Sequence, residues 1–232
     1  MSARLGIPSK GRLMENTIDW FGARGVGLSR SGSEREYAGA VEGVDGVDLA
    51  LLPAGEIPGE LAAGRIHLGV TGSDLARENL GRWEDCVEPL AAMGFGYADL
   101  VIAVPQCWVD VDTLDDLDWA AASFREAHGA RLRIATKYHR MVREFLKENG
   151  VADYLLVHSQ GATEGAVMNG SAEAIADISS TGTTLRANRL KMLSDGLVHR
   201  SQATLYRARR TTSSVTDQES LNALLARLGL QC

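Results

Sequence analysis

A strand-like run, Ala174-Ile175-Ala176-Asp177-Ile178, leads into Ser179-Ser180-Thr181-Gly182-Thr183-Thr184 and then into Leu185-Arg186-Ala187-Asn188. These residue types, in this order, suit the binding of a phosphate group. Gly182 permits a tight turn, the peptide N–H groups of Thr181 to Thr184 can converge on one anion, and a helix beginning near Thr184 adds the positive end of its dipole. The hydroxyls supply further donors. Asp177, ending the strand, stands about one sugar-length from such a phosphate, where a carboxylate accepts hydrogen bonds from two adjacent ribose hydroxyls, with Glu173 as a possible assistant. Ser, Thr and Gly are also ordinary capping residues, so a helix cap and turn is the alternative, which the density of the run after a strand and an acid disfavours.

Two further segments have the same character. Gly6-Ile7-Pro8-Ser9-Lys10-Gly11-Arg12-Leu13 ends a first strand and opens a helix, with Lys10 and Arg12 where anions would arrive. Leu68-Gly69-Val70-Thr71-Gly72-Ser73-Asp74 again sets glycine and hydroxyl residues just after a strand. In open α/β sheets, ligands collect at such carboxyl ends of strands. Several other chemistries lack their signatures: there is no Gly-Lys-Ser/Thr after a glycine-rich turn, no Gly-x-Gly-x-x-Gly after the first strand and no Gly-x-Ser-x-Gly elbow. The three cysteines, Cys86, Cys107 and Cys232, are widely spaced, and the five histidines show no metal-ligand spacing, so no metal-ligating residue is assigned.

The elements that must position these segments alternate between apolar strands and helical patterns. Strands are expected at Leu5 to Ile7, Val47 to Leu52, Ile66 to Val70, Leu100 to Val104, Leu132 to Ala135, Tyr154 to Val157 and Ala174 to Ile178. Met14, Ile18 and Phe21 sit at helical spacing, as do Val142, Phe145 and Leu146. This alternation predicts an α/β protein with a mainly parallel sheet covered by helices. A hinge is expected near Gly94 to Asp99. Met192 to Tyr206 breaks at Gly196 and resumes a strand pattern, which suits a chain crossing back. Residues 1–95 plus about 197–232 then form one lobe and 96–196 a second lobe carrying the Thr-rich loop. The tail has capping-box spacing at Thr216-Asp217-Gln218-Glu219, followed by the stripe Leu221, Leu224, Leu225 and Leu228, which packs on its own domain or on another subunit.

With 232 residues and 45% hydrophobic content the chain can bury a real core. Its net charge of −6 disfavours a general nucleic-acid binder. The absence of a signal-peptide pattern and of an 18-residue apolar run predicts a cytoplasmic protein that does not enter a membrane.

Together these three segments, with Met93-Gly94-Phe95-Gly96-Tyr97, Arg133-Ile134-Ala135-Thr136-Lys137-Tyr138 and Gly161-Ala162-Thr163-Glu164, closely resemble the ATP phosphoribosyltransferase family, which opens histidine biosynthesis, over roughly residues 3 to 208. Where the family often has Arg…Asp-Ile-Pro, this chain reads Leu52-Pro53-Ala54-Gly55-Glu56-Ile57-Pro58 without the arginine, so no phosphate contact is assigned there. Ala176 and Ser179 replace bulkier aliphatic residues, a change read as packing.

The resemblance implies the short form, without a carboxyl-terminal regulatory domain, and two lobes like those of type II periplasmic binding proteins with the active site in the cleft. It implies transfer of 5-phosphoribosyl from phosphoribosyl pyrophosphate to N1 of ATP, with Mg2+ carried on substrate phosphates. By motif matching, Asp177, Ser180, Thr181, Gly182, Thr183 and Thr184 would hold phosphoribosyl pyrophosphate. Lys10, Gly11, Arg12, Gly72, Asp74 and Glu164 would hold ATP, and Lys10 and Arg12 would act as the catalytic charges. The implied partner is a regulatory subunit resembling histidyl-tRNA synthetase, joined to a homodimer of this chain in a hetero-octamer. On the residues alone two alternatives stay open: a non-catalytic solute-binding module of the same architecture, and a salvage phosphoribosyltransferase acting on a free base.

Overall fold

The computed structural model describes residues 2–30, 38–159, 161, 163–211 and 214–230. Cys232, Ala162 of the Gly161–Glu164 motif and the middle of the 211–214 linker lie outside them. The chain forms two compact units, Met1–Gly96 with Gln202–Cys232, and Tyr97–Ser201.

In the first unit, β1 (Ala3–Pro8), α1 (Gly11–Gly22), β2 (Gly27–Arg30), β3 (Ala38–Glu42), β4 (Val47–Leu52), α2 (Ile57–Ala62), β5 (Leu68–Gly72), α3 (Ser73–Asn79), α4 (Trp83–Cys86) and β6 (Val87–Ala92) follow in order. The second unit holds β7 (Ala98–Pro105), α5 (Leu114–His128), β8 (Leu132–Thr136), α6 (His139–Glu148), β9 (Tyr154–His158), α7 (Gly165–Met168), β10 (Ala174–Ser179), α8 (Thr183–Ala187) and β11 (Leu190–Ser201). The chain then returns to the first unit for β12 (Ala203–Ala208) and α9 (Val215–Arg227).

Each unit is built on one sheet, in the order β2-β3-β4-β1-β5-β12-β6 and β11-β7-β10-β8-β9. The α/β class is as read from the sequence, but the expected mainly parallel sheet is not what forms. Only β1·β4, β1·β5, β8·β10 and β8·β9 pair in parallel, and the remaining pairings are antiparallel. Strands β2, β3 and β6 escape the hydrophobic-run criterion because they are short and interrupted: GLSR, AGAVE and VEPLAA. The break expected at Gly196 is a bulge within one strand, since β11 shifts register between Met192 and Leu197 and again before His199.

Close approach explains two glycines. Gly6 and Gly69 are register partners on β1 and β5, and a Cβ on Gly69 would meet Ile57 at 2.8 Å and Leu61 at 3.0 Å. The missing side chain at Gly69 lets α2 lie directly on the sheet, and that at Gly6 makes room for Ile66, which a Cβ would meet at 2.6 Å. In the second unit α6 turns Val142 and Leu146 fully inward beside Leu132 and Ile134 of β8.

The tail helix corrects the expected cap. α9 starts two residues earlier, with Ser214 as N-cap: its hydroxyl accepts the Asp217 N–H at 3.2 Å, and Asp217 accepts the Ser214 N–H at 2.9 Å. Leu221, Leu224, Leu225 and Leu228 are all buried in the core of their own unit, against Ala3, Val44 and Val47 among others. Full burial of each leucine contributes about 1.5–3 kcal/mol, which makes α9 an integral part of that core. Among the described residues no helix is long and apolar enough to cross a membrane.

Candidate active site

In the second unit the parallel strands β8 and β10 run toward the same edge of the sheet, and the last residues of β10 meet residues that follow both strands. Lys137, Glu164, Asp177 and the whole turn from Ile178 to Leu185 line one pocket of about 230 Å³. Asp177, Glu164 and Ser180 to Thr184, singled out in the sequence, are thus brought together. Gly182 has a φ of 69°, the left-handed conformation that favours glycine, and α8 begins directly after it.

The loop's hydrogen bonds are its own. The Gly182 N–H donates to Ser179 Oγ at 3.0 Å, the Thr183 N–H to Thr181 Oγ1 at 3.4 Å, and the Thr181 hydroxyl to Thr183 Oγ1 at 3.0 Å. Arg186 adds Nη2 contacts to the Thr181 carbonyl at 3.2 Å and to Thr183 Oγ1 at 3.4 Å. The serine at position 179 therefore serves the loop and not packing, which corrects the reading of that substitution. Ala176, fully buried in the core, is a packing residue. A second pocket of about 480 Å³ shares Ser179 to Gly182 and Leu185 with the first and adds Arg186, Lys191, Val101, Leu190 and Met192.

Asp177 Oδ1 is buried and has no hydrogen-bond partner among the described residues. An acceptor left in that state is costly, by about 1–3 kcal/mol, and is a natural place for a ligand donor. Glu173 does not assist it. Four residues back along β10, roughly 13 Å at strand rise, Glu173 is clamped by Arg133: Nη2 to Oε1 at 2.6 Å, Nε to Oε2 at 3.2 Å and the Arg133 N–H to Oε2 at 2.7 Å. Burial pushes the Glu173 carboxyl up, but the hydrogen bonds and charge of Arg133 outweigh it and leave the pKa below the usual value. This is a brace between strands.

Lys137 is the residue that sequence reasoning passed over. It is the one basic side chain among the described residues lining the pocket, with Nζ 3.8 Å from Asp177 Oδ1. The available signal was topological, since Lys137 and Asp177 each stand at the carboxyl end of a strand, but only the parallel register makes them neighbours.

The first unit carries the other assigned residues. Lys10 and Arg12 are exposed at the start of α1, and neither has an ion-pair partner among the described residues. Gly11 between them has a φ of 71°. Gly72 caps α3, and Asp74 is buried in its first turn. Because β1, β4 and β5 are parallel neighbours, Ser9 to Arg12, Pro53 to Glu56 and Gly72 to Asp74 emerge at one sheet edge. They are tied there by Ser9 N–H to the Leu52 carbonyl at 2.8 Å and by Thr71 Oγ1 to the Ala54 carbonyl at 2.8 Å. The Leu52–Pro58 loop, which lacks the family's arginine, is thus held as scaffold. Among the described residues no group of three or more His, Cys, Asp or Glu is arranged to hold a metal ion by itself. Cys86 and Cys107 are free thiols.

Comparison with known proteins gives a consistent result. Residues 53–229 match the family model HisG, ATP phosphoribosyltransferase. The chain is 69% identical over 230 residues to an ATP phosphoribosyltransferase of Cereibacter sphaeroides, covering 99% of this chain and 97% of that protein. It is 48% identical to one of Mesorhizobium japonicum, covering 97% of each. Among solved structures, the ATP phosphoribosyl transferase (HisG:HisZ) complex from Thermotoga maritima aligns at TM-score 0.73 and 22% identity, over 98% of this chain and 96% of that one. The alkanesulfonate-binding protein SsuA from Xanthomonas axonopodis pv. citri aligns at TM-score 0.51 and 15% identity, over 97% and 71%. These two structural likenesses concern the fold.

Proposed function

The chain belongs to the ATP phosphoribosyltransferase family, and on that premise we propose that Asp177 and the Ser180–Thr184 turn bind phosphoribosyl pyrophosphate while residues of the first unit bind ATP. The enzyme is a pentosyltransferase: it moves the 5-phosphoribosyl group to N1 of ATP, giving phosphoribosyl-ATP and pyrophosphate at the first step of histidine biosynthesis. The observation that carries the site reading is the buried Asp177 Oδ1, which has no hydrogen-bond donor among the described residues, on a residue that lines the same pocket as the hydroxyl-rich turn.

Adenine N1 is uncharged at neutral pH and already carries a lone pair. As the N1–C1 bond forms, the bond from C1 to pyrophosphate oxygen breaks and its electron pair leaves with pyrophosphate. No base is needed for attack, so catalysis rests on alignment and on stabilising the leaving charge. Asp177 orients the sugar through its hydroxyls, and Ser180 to Thr184 hold the 5-phosphate with amides released from Ser179 and Thr181. Lys10 and Arg12, at the amino end of a 12-residue helix, offset polyphosphate charge. Gly11 allows close backbone approach, and Gly72 and Asp74 complete the ATP contacts of the first unit; Glu164, in the second unit, lines the pocket of the Thr-rich turn.

The oxygen-rich pocket, with Asp177 and Glu164 as its carboxylates, fits Mg2+ held chiefly by substrate phosphates and water. Bound there, the ion would neutralise developing pyrophosphate charge. The working assembly is a homodimer joined by a regulatory subunit resembling histidyl-tRNA synthetase in a cytoplasmic hetero-octamer, a reading supported by the Thermotoga maritima complex of the same fold.

The test is to mix the purified chain with ATP, Mg2+ and phosphoribosyl pyrophosphate, with and without the regulatory subunit, and to follow adduct absorbance and pyrophosphate release together. Both signals rising in step are expected. Release of pyrophosphate without adduct, or neither signal in either mixture, would overturn the assignment.

A further inference from the structure

Strands β8 and β10 pair in parallel up to the partners Thr136 and Ala176; Lys137 is the first residue beyond β8, and Asp177 stays in β10, paired with Val101 of β7. The Lys137 ammonium and Asp177 Oδ1 are 3.8 Å apart. That is an ion pair without a hydrogen bond. Oδ1 is buried without a donor, and among the described residues the Lys137 ammonium has no hydrogen-bond acceptor. It lies 5.2 Å from the ring centre of the buried Tyr138.

A group that both accepts and donates completes the two atoms at once. One hydroxyl oxygen, at about 2.8 Å from each, would donate a hydrogen bond to Oδ1 and accept one from Nζ. A phosphate oxygen in the same place would satisfy Nζ but meet Oδ1 as a second acceptor of like charge. The gap therefore selects a sugar hydroxyl over a phosphate and keeps the phosphate on the turn. The charge balance of the pocket points the same way, because Lys137 is the one described basic side chain facing the carboxylates of Asp177 and Glu164.

We propose that Lys137 is a specificity-determining residue that reads a ribose hydroxyl jointly with Asp177. The inference rests on the reading of this pocket as the phosphoribosyl site. It assigns to Lys137 contact with the sugar and not with the departing pyrophosphate.

The experiment uses the full chain and calorimetric titration with ribose 5-phosphate, 2-deoxyribose 5-phosphate and 3-deoxyribose 5-phosphate, beside steady-state kinetics. The wild type is expected to discriminate against at least one deoxy sugar. Lys137→Met should narrow that discrimination and raise the KM for phosphoribosyl pyrophosphate about tenfold, the size of one charge-assisted hydrogen bond. The KM for ATP should stay within about twofold, because that substrate makes no contact with the hydroxyl bridge. Lys137→Arg should restore part of the loss, which a merely structural lysine at 46% exposure would not require. Discrimination against both deoxy sugars unchanged in Lys137→Met, or no binding of ribose 5-phosphate by the wild type, overturns the proposal. A wild type that binds and discriminates these sugars yet forms no adduct would remove the transferase reading alone.

Discussion

The Ser179 hydroxyl accepts the Gly182 N–H at 3.0 Å, so the amide of the turn's glycine is occupied by the residue on which the preceding strand, β10, ends. If this turn holds the sugar phosphate as proposed, binding would exchange this internal acceptor for a phosphate oxygen, a substitution of one hydrogen bond for a stronger, charge-assisted one.

Ser179→Ala removes the competitor. The expected result is a stability loss of about 1 kcal/mol, seen as a lower urea midpoint, together with ribose 5-phosphate affinity equal to or tighter than that of the wild type. Weaker binding would mean that the hydroxyl is itself a ligand contact.

Asp177→Ala and Thr181→Ala separate binding from folding. Asp177 has a buried oxygen without a donor, so its removal should leave the thermal midpoint unchanged or slightly raised while the KM for phosphoribosyl pyrophosphate rises about tenfold or more. Thr181→Ala should act in the same direction on KM. Full activity in both variants would remove the loop from the site.

His67 predicts a pH dependence of stability in the first unit. Burial lowers its pKa below 6.5; Asp217 opposes and Arg4 reinforces the shift, and the ring nitrogen Nδ1 accepts the Arg4 N–H at 3.1 Å. A lowered folded-state pKa means that the unfolded chain takes up the proton first. The contribution is therefore fully present above 6.5 and lost as pH falls through the folded value. Denaturant midpoints measured between pH 8 and pH 5 should fall for the wild type, and the slope should shrink in His67→Gln. An identical slope in both would assign the loss to other groups.

Leu224→Ala tests the tail helix. Leu224 is fully buried, and its truncation should cost about 2–5 kcal/mol, with the loss of unfolding cooperativity in the first unit visible by calorimetry. A cost under about 1 kcal/mol would mean that α9 packs on the core only loosely.

The sequence was most informative where one strand carries its own signal. Val47 to Leu52 is strand β4 to the residue, and Asp177 with the Thr-rich turn was legible because strand, glycine and hydroxyls are contiguous. What escaped depends on pairing. Glu173 and Asp177 are close in sequence, yet the extended strand carries them apart and gives Glu173 to Arg133. Lys137 and Asp177 are forty positions apart and become neighbours only through the β8·β10 register. The α9 cap was misplaced by two residues because Thr216-x-x-Glu219 and Ser214-x-x-Asp217 both satisfy the spacing, and the leucine stripe does not choose between them.

The interrupted course of the first unit orders the protein's biosynthesis. Residues 97–201 are continuous and contain every strand of their sheet, so this unit has all its parts once the ribosome has released Ser201. The first unit waits for β12, which sits between β5 and β6, and for the leucines of α9. Its amino-terminal strands thus emerge first and complete their core last, holding an open sheet edge at β5 over the 130 residues, 73 to 202, that separate Gly72 from Ala203. A chain broken off before Ala203 would leave the β5 edge unpaired, and one broken off just after Ala208 would close the sheet but lack the α9 leucines of its core.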